Sequence, residues 1–205
     1  MRSLREEAAR FDHRASRYDR WLKQWWFFRP VHEIVLGASA LRRGERFLEV
    51  GCGTGNLTLA AAARTGFAVG VDPAPRMIEV ARRKPVAGHE VSFLVGAAES
   101  LPLPDGAFDV AASSISMHHW VDALAGLREM RRVLRPEGRL VVADIAPHGL
   151  GWALAMPIGL AKRGHGGGWE PEELGLLVRR AGFADVRVRR RGRLSKVVAV
   201  VAATR

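Results

Sequence analysis

Cysteine is nearly absent: the 205 residues include one, Cys52. A lone thiol excludes an intrachain disulfide and any zinc site built on two or more thiolates, and it suits a reducing, cytoplasmic setting. Long apolar runs are missing too. No window approaches the roughly 18 uninterrupted apolar residues of a membrane-spanning helix, and the opening MRSLREEAARFDHR is charged where a secretory signal is apolar. The chain is therefore expected neither to span a membrane nor to enter secretion. Lysine is scarce, four residues against 28 arginines, and the formal net charge is +11. Such an excess raises nucleic acid or an anionic membrane as partners, but the arginines are scattered singly or in pairs and only Arg187 to Arg193 (RVRRRGR) is dense. A bias in composition accounts for that spread better than a nucleic-acid surface does. The seven histidines form no metal-binding constellation. With 48% hydrophobic and 26% charged residues, the chain has the make-up of an ordinary single globular domain.

Periodicity and punctuation set the order of elements. Helical patterns run from about Leu4 to Trp26 and from Val31 to Leu41, with Pro30 expected to end the first. Short apolar runs follow at Arg46 to Val50, Ala68 to Asp72, Val91 to Val95, Phe108 to Ala112 and Leu140 to Asp144. Helical stretches at about Asn56 to Arg64, Pro75 to Arg83 and Val121 to Leu134 separate them. Helix-filled crossovers force parallel pairing, so the expected fold is α/β with a doubly wound sheet. A helix at Glu170 to Ala181 is stopped by Gly182, and two last strands form a hairpin. The second of these, Lys196 to Ala203, is apolar on both faces and should lie antiparallel between its partner and the parallel strands. One domain spans 1–205: a helical segment or lid at 1–43, a core at 44–145, an inserted cap at 146–168, and a C-terminal helix and hairpin at 169–205.

The stretch Phe47-Leu48-Glu49-Val50-Gly51-Cys52-Gly53-Thr54-Gly55 is a strand, a loop with glycine at every second position, and a helix start. Glycine there lets backbone approach a ligand without a Cβ between them. The dinucleotide fingerprint requires glycine where Asn56 stands, and a P-loop requires a lysine and a hydroxyl that Gly55-Asn56-Leu57 lacks, so NAD, FAD and nucleoside triphosphates are disfavoured. Glu49 repels a polyphosphate and suits a cation or a hydrogen-bond donor. Asp72 ends the next strand 21 residues after Gly51, close to the spacing at which a carboxylate reaches ribose hydroxyls, although it could equally cap the following helix. A neutral or cationic nucleoside is the ligand these residues favour.

The segments FDHRASRYDRW, FLEVGCGTGNLT, VGVDPAPRMIEVAR, VGAAESLPLPDGAFDVAASSISMHHW, REMRRVLRPEGRLVVADI and EELGLLVRRAGFADVRV together resemble class I S-adenosylmethionine-dependent methyltransferases, in particular the quinone-biosynthesis and small-molecule ("type 11") branch. The resemblance covers roughly Phe11 to Thr204. It implies a Rossmann-like, mainly parallel seven-stranded sheet with an antiparallel C-terminal hairpin and an N-terminal helical lid. It also implies that Glu49 and the backbone of Gly51, Cys52, Gly53 and Gly55 hold the methionine part of the cofactor and that Asp72 holds the ribose. Pro73 and Met77 would then flank one side of the adenine, and Ala97, Ala98 and Glu99 the other. Tyr18 and Ser114 complete the implied cofactor set. Ala97 departs from the family, which commonly has Asp there, so the adenine amine would rely on backbone contacts at Ala98.

Methyl transfer from a sulfonium is an in-line displacement, dominated by positioning, and a base matters only where the acceptor loses a proton. His118 and His119 follow the fourth strand and are the candidate bases; either could instead serve the start of the next helix. The aromatic stripe Tyr18, Trp21, Trp25 and Phe28 is read as packing on the sheet, as a lid or as a membrane contact. Leu150 to Ala161 reads as an apolar cap. Together they favour a small, uncharged or aromatic acceptor. Nucleic-acid methylation and a noncatalytic cofactor-binding role are the alternatives.

Overall fold

The structure, a computed structural model, describes residues 4–13, 15–18, 28–86, 88–146, 168–191 and 197–204. The cap expected at 146–168, apart from its ends, and the aromatic positions Trp21, Trp25 and Trp26 lie outside these residues.

The chain opens with α1 (Leu4–Asp12), α2 (Ala15–Tyr18) and α3 (Arg29–Ser39). The long first helix expected from periodicity is broken after Asp12, whose carboxylate accepts the backbone N–H of Arg76 at 2.8 Å and so caps the first turn of another helix. Pro30 lies in the first turn of α3, where a proline loses no intrahelical hydrogen bond; the stretch it was expected to end lies outside the described residues. The core then alternates β1 (Arg46–Val50), α4 (Asn56–Thr65), β2 (Phe67–Asp72), α5 (Pro75–Arg82), β3 (Glu90–Val95), β4 (Phe108–Ser114), α6 (Ala123–Val133) and β5 (Leu134–Ile145). It ends with α7 (Pro171–Arg180), β6 (Ala184–Arg191) and β7 (Val197–Ala203).

Seven strands form one sheet in the order β3-β2-β1-β4-β5-β7-β6. The first five pair in parallel, while β7 pairs antiparallel with both β5 and β6, the placement that its two apolar faces predict. β5 is longer than the expected Leu140 to Asp144. Leu134 already pairs with Phe108, and the register then jumps to Arg139 opposite Val110 across a turn in which Glu137 takes φ 63°.

Side chains alternate across the sheet with the two-residue period of a strand. On β1, Phe47 packs into a cluster with Val35 of α3 and Leu57 of α4, whereas Leu48 and Val50 join Leu127 and Met130 of α6 and Leu174 of α7. Glu49 lies on the α4 side of this alternation, at the strand end where that layer opens. No described helix is long and apolar enough to cross a membrane.

Candidate active site

At the carboxyl ends of β1, β2 and β4 the loops line a cavity that opens to solvent. Ligand sites of open α/β sheets form there because the strand order reverses and leaves a crevice between adjacent loops. The crevice here falls between β1, whose crossover runs to β2, and β4 on its other side.

The loop after β1 is bonded to β2 before any ligand is considered. The N–H groups of Gly51 and Cys52 both donate to the carbonyl of Val71, at 2.8 and 3.0 Å, and Gly55 N–H closes a turn onto Cys52 O at 2.9 Å. Asp72 joins the two loops: Oδ2 accepts Gly53 N–H at 2.8 Å and Oδ1 accepts Ala74 N–H at 2.9 Å. The helix-capping role and a ligand-binding role are thus compatible, since each carboxylate oxygen keeps a second lone pair. Burial pushes the Asp72 carboxyl up to about 6.

The glycines of this loop do different things. A Cβ on Gly55 would stand 2.4 Å from the ring of Phe93, so glycine there serves close packing of the loop on β3. A Cβ on Gly53 would meet no atom within 4 Å, and its φ is +52°. Gly53 is on the cavity wall and Gly55 is not. Beneath the loop Glu49 is 2% exposed, and Thr58 donates its hydroxyl to Glu49 at 2.5 Å. Burial pushes the Glu49 carboxyl up to about 8, the Thr58 bonds opposing. Burial likewise raises the Cys52 thiol well above its ordinary value, which leaves it an inert wall atom rather than a nucleophile.

Of the other residues singled out in the sequence, Tyr18, Pro73, Met77, Ala98, Glu99, Ser114 and His119 also line this cavity. Glu99 is held by the start of α6, its Oε1 accepting the N–H groups of Val121 and Asp122 at 2.8 and 3.1 Å. Ala97 lies off the wall, bridged to Ser100. His118 also lies off it. Its side chain is fully buried, with Nδ1 2.7 Å from Asp144 Oδ1 and its backbone N–H donating to Asp144 Oδ2 at 2.9 Å. The His119 ring lies beside it, tilted by 45° at 3.9 Å between centroids, and meets the ring of Phe11 edge-on at 5.0 Å.

The sequence reading passed over several wall residues. Phe11 and Trp120 add aromatic surface beside Phe28 of the stripe already noted, and Trp120 is locked by its indole N–H donating to Ser116 Oγ at 3.0 Å. Phe11 and Trp120 lie inside quoted motifs, so their presence was visible though their role was not. His32 on α3 carried no local signal. Burial, assisted by the charge of Lys84, pulls its imidazole down to about 4, so it is neutral at pH 7.

Residues 48–142 match a family model described as a methyltransferase domain. Over 118 residues the chain is 37% identical to the malonyl-[acyl-carrier protein] O-methyltransferase of Serratia marcescens, covering 58% of this chain and 45% of that one. It is 31% identical over 179 residues to a demethylmenaquinone methyltransferase of Staphylococcus aureus, covering 76% and 74% of the two chains. A methyltransferase of Aquifex aeolicus superposes with a TM-score of 0.73 at 21% identity, over 97% of this chain and 98% of the other, a likeness of fold. The chain spans about half the length of the first curated relatives it matches. Identity of this order, sustained over three quarters of the Staphylococcus aureus protein and joined by the family match, means that the chain belongs to the class I S-adenosylmethionine-dependent methyltransferases, in their type 11 branch.

Proposed function

We propose that the chain transfers a methyl group from S-adenosylmethionine to a small, largely apolar or aromatic acceptor. The observation that carries this reading is the open cradle at Gly53, with Asp72 bonded across it and Glu49 beneath, at the mouth of a cavity whose far wall is aromatic. Two buried carboxyls and no lysine on the described wall fit a cationic nucleoside and oppose a polyphosphate. The bound cofactor would supply an electrophilic methyl group. Asp72 holds the ribose hydroxyls, Glu49 and the Gly51–Gly53 backbone hold the amino-acid end, and Pro73, Met77 and Ala98 flank the adenine. Phe11, Tyr18 and Phe28, from the N-terminal helices, cover the site and exclude water, which serves a displacement that depends on alignment. The relatives' names differ in acceptor, a malonyl-carrier ester in one and a demethylmenaquinone in another. The aromatic wall of this chain favours a ring-bearing acceptor. The lone, buried thiol suits a cytoplasmic setting.

His119 faces the cavity and is the group that can take a proton from a hydroxyl acceptor. His118 and Asp144 stand behind it and fix its ring. His119→Gln is expected to lower turnover of hydroxyl acceptors by about 10²-fold, within the range of general-base effects, with cofactor affinity unchanged. Equal turnover of the variant across pH 6–9 would remove the base.

Both buried carboxyls make the ligand-free protein less stable at high pH. Glu49 is raised to about 8 from an ordinary value of 4.5, and Asp72 to about 6 from 3.8. The folded state therefore binds more protons than the unfolded state between those values, so stability falls as pH rises through each window. The contribution of Glu49 is fully present below pH 4.5 and is lost as pH rises through about 8. Thermal melts from pH 5 to 9 should show Tm declining, and Glu49→Gln, which keeps the Thr58 contact and cannot ionise, should flatten the decline above pH 6. A Glu49→Gln profile parallel to the parent would refute this assignment.

A further inference from the structure

The dense arginine run of the sequence, Arg187 to Arg193, begins on β6, the edge strand beside β7. The two faces of that strand differ. Val186 and Val188 pack into the cluster that holds Leu174 and Val178 of α7, whereas Arg187 and Arg189 alternate with them and are exposed. Arg189 pairs with Ala199, and Ala199 with Ala143, which puts both arginines on the face where α3 packs over β4 and β5. That cover stops short of them. Among the described residues neither arginine has an ion-pair or hydrogen-bond partner. Charge on an edge strand discourages pairing with another sheet, but that duty is indifferent to sign and to height along the strand.

Height is what ties the row to the site. β5 and β6 both run antiparallel to β7, so β6 climbs with the parallel strands toward the edge that holds the cavity. Through Ala199 and Ala143, Arg189 is level with Ser114 on the cavity wall, three strand spacings away, or about 14 Å along the sheet. The strand ends with Arg191 opposite Val197, itself opposite Ile145, the last residue of β5. An anionic surface that meets this end of β6 therefore lies beside the cavity mouth.

The residue types around the row choose among anionic partners. Single-stranded nucleic acid is held by basic side chains together with aromatic ones that stack on its bases. β6 (ADVRVRRR) has no aromatic residue, and Val186 and Val188 are turned inward. A bilayer of anionic lipid requires only cations presented near one plane, which two exposed arginines on one strand face supply. We propose that Arg187 and Arg189 dock the protein on an anionic membrane surface, with the cavity mouth beside that surface. Resting on the methyltransferase reading above, an apolar acceptor dissolved in the bilayer then reaches the site without crossing bulk water.

The contact is measured without cofactor, by flotation of the protein with vesicles of phosphatidylcholine with and without phosphatidylglycerol. The parent should bind the mixed vesicles at about 0.1 M salt, where screening extends about 10 Å, and leave them at about 1 M, where it extends about 3 Å. Arg187→Gln/Arg189→Gln should lose about 25-fold in vesicle affinity, about fivefold for each arginine. The control is Arg42→Gln/Arg43→Gln, the same change of charge at exposed positions just before β1, at the opposite edge of the sheet. It should lose less than threefold. Both double variants should bind S-adenosylhomocysteine within twofold of the parent. Equal losses in the two variants would mean that net charge alone draws the protein to lipid, and would overturn the proposal. So would binding that ignores phosphatidylglycerol, or an Arg187→Gln/Arg189→Gln protein that loses oligothymidylate while keeping vesicles. Failure of the parent to bind S-adenosylhomocysteine is a separate result, which sinks the methyltransferase reading and leaves the lipid contact to its own assay.

Discussion

Asp72→Ala is expected to weaken S-adenosylhomocysteine binding by about 100-fold or more, some 3 kcal/mol. The carboxylate has two duties. It ties the β1 and β2 loops through the N–H groups of Gly53 and Ala74, and it offers its remaining lone pairs to the sugar hydroxyls. Hydrogen bonds to a charged group contribute about 1.5–3 kcal/mol each, and alanine removes all of them together. Asp72→Asn keeps the shape but loses the charge and can turn its amide N–H toward the Gly53 N–H, so it should bind nearly as poorly. Calorimetric titration measures both variants, with melts of the unliganded proteins as a control for folding. If Asp72→Ala lowers Tm but changes affinity less than threefold, the residue is a loop brace and nothing more.

Gly55→Val is expected to destabilise the protein by about 2–5 kcal/mol, the sum of a left-handed backbone penalty of about 1–2 and an overpacking cost of about 1–3. The cause is specific. Gly55 has φ +78°, and its Cβ would sit 2.4 Å from the Phe93 ring and 3.2 Å from Ala81. At about 2–4 °C per kcal/mol for a chain of this size, Tm should fall by roughly 10 °C. Gly53→Ala offers the contrast. Its Cβ meets nothing, so stability should drop by only about 1 kcal/mol, while the new methyl group intrudes on the cofactor's place and weakens binding. The reverse pattern, a stable Gly55→Val and a collapsed Gly53→Ala, would show that the loop's geometry has been misread.

Those two glycines also show what can be read from a sequence and what cannot. The loop stood out because glycine at every second position between an apolar run and a helix is punctuation of a kind few other structures need. Which glycine faces a ligand depends on Phe93, 38 residues further along, and no local pattern carries that. The parallel order of β1 to β5 and the inserted β7 were legible because burial on two faces leaves continuous apolar runs. The contact made by Asp12 was hidden because its partner, Arg76 in the first turn of α5, is 64 residues away. His118 and Asp144 are 26 residues apart, on different elements, and a histidine pair at a strand exit gives no sign of which ring turns inward. Ile115 was hidden for a different reason: its residue type argues against the left-handed backbone it adopts, φ +50°, where its N–H bonds Ala143 of β5.

The account stands on one cavity receiving one nucleoside. Calorimetric titration of the parent protein with S-adenosylhomocysteine tests that directly. A single site with stoichiometry near one and a micromolar or tighter Kd is the predicted result. Absence of measurable heat up to millimolar ligand, from protein whose cooperative melt shows it folded, would contradict the assignment of Gly53, Glu49 and Asp72 to a cofactor and with it the reaction built on them.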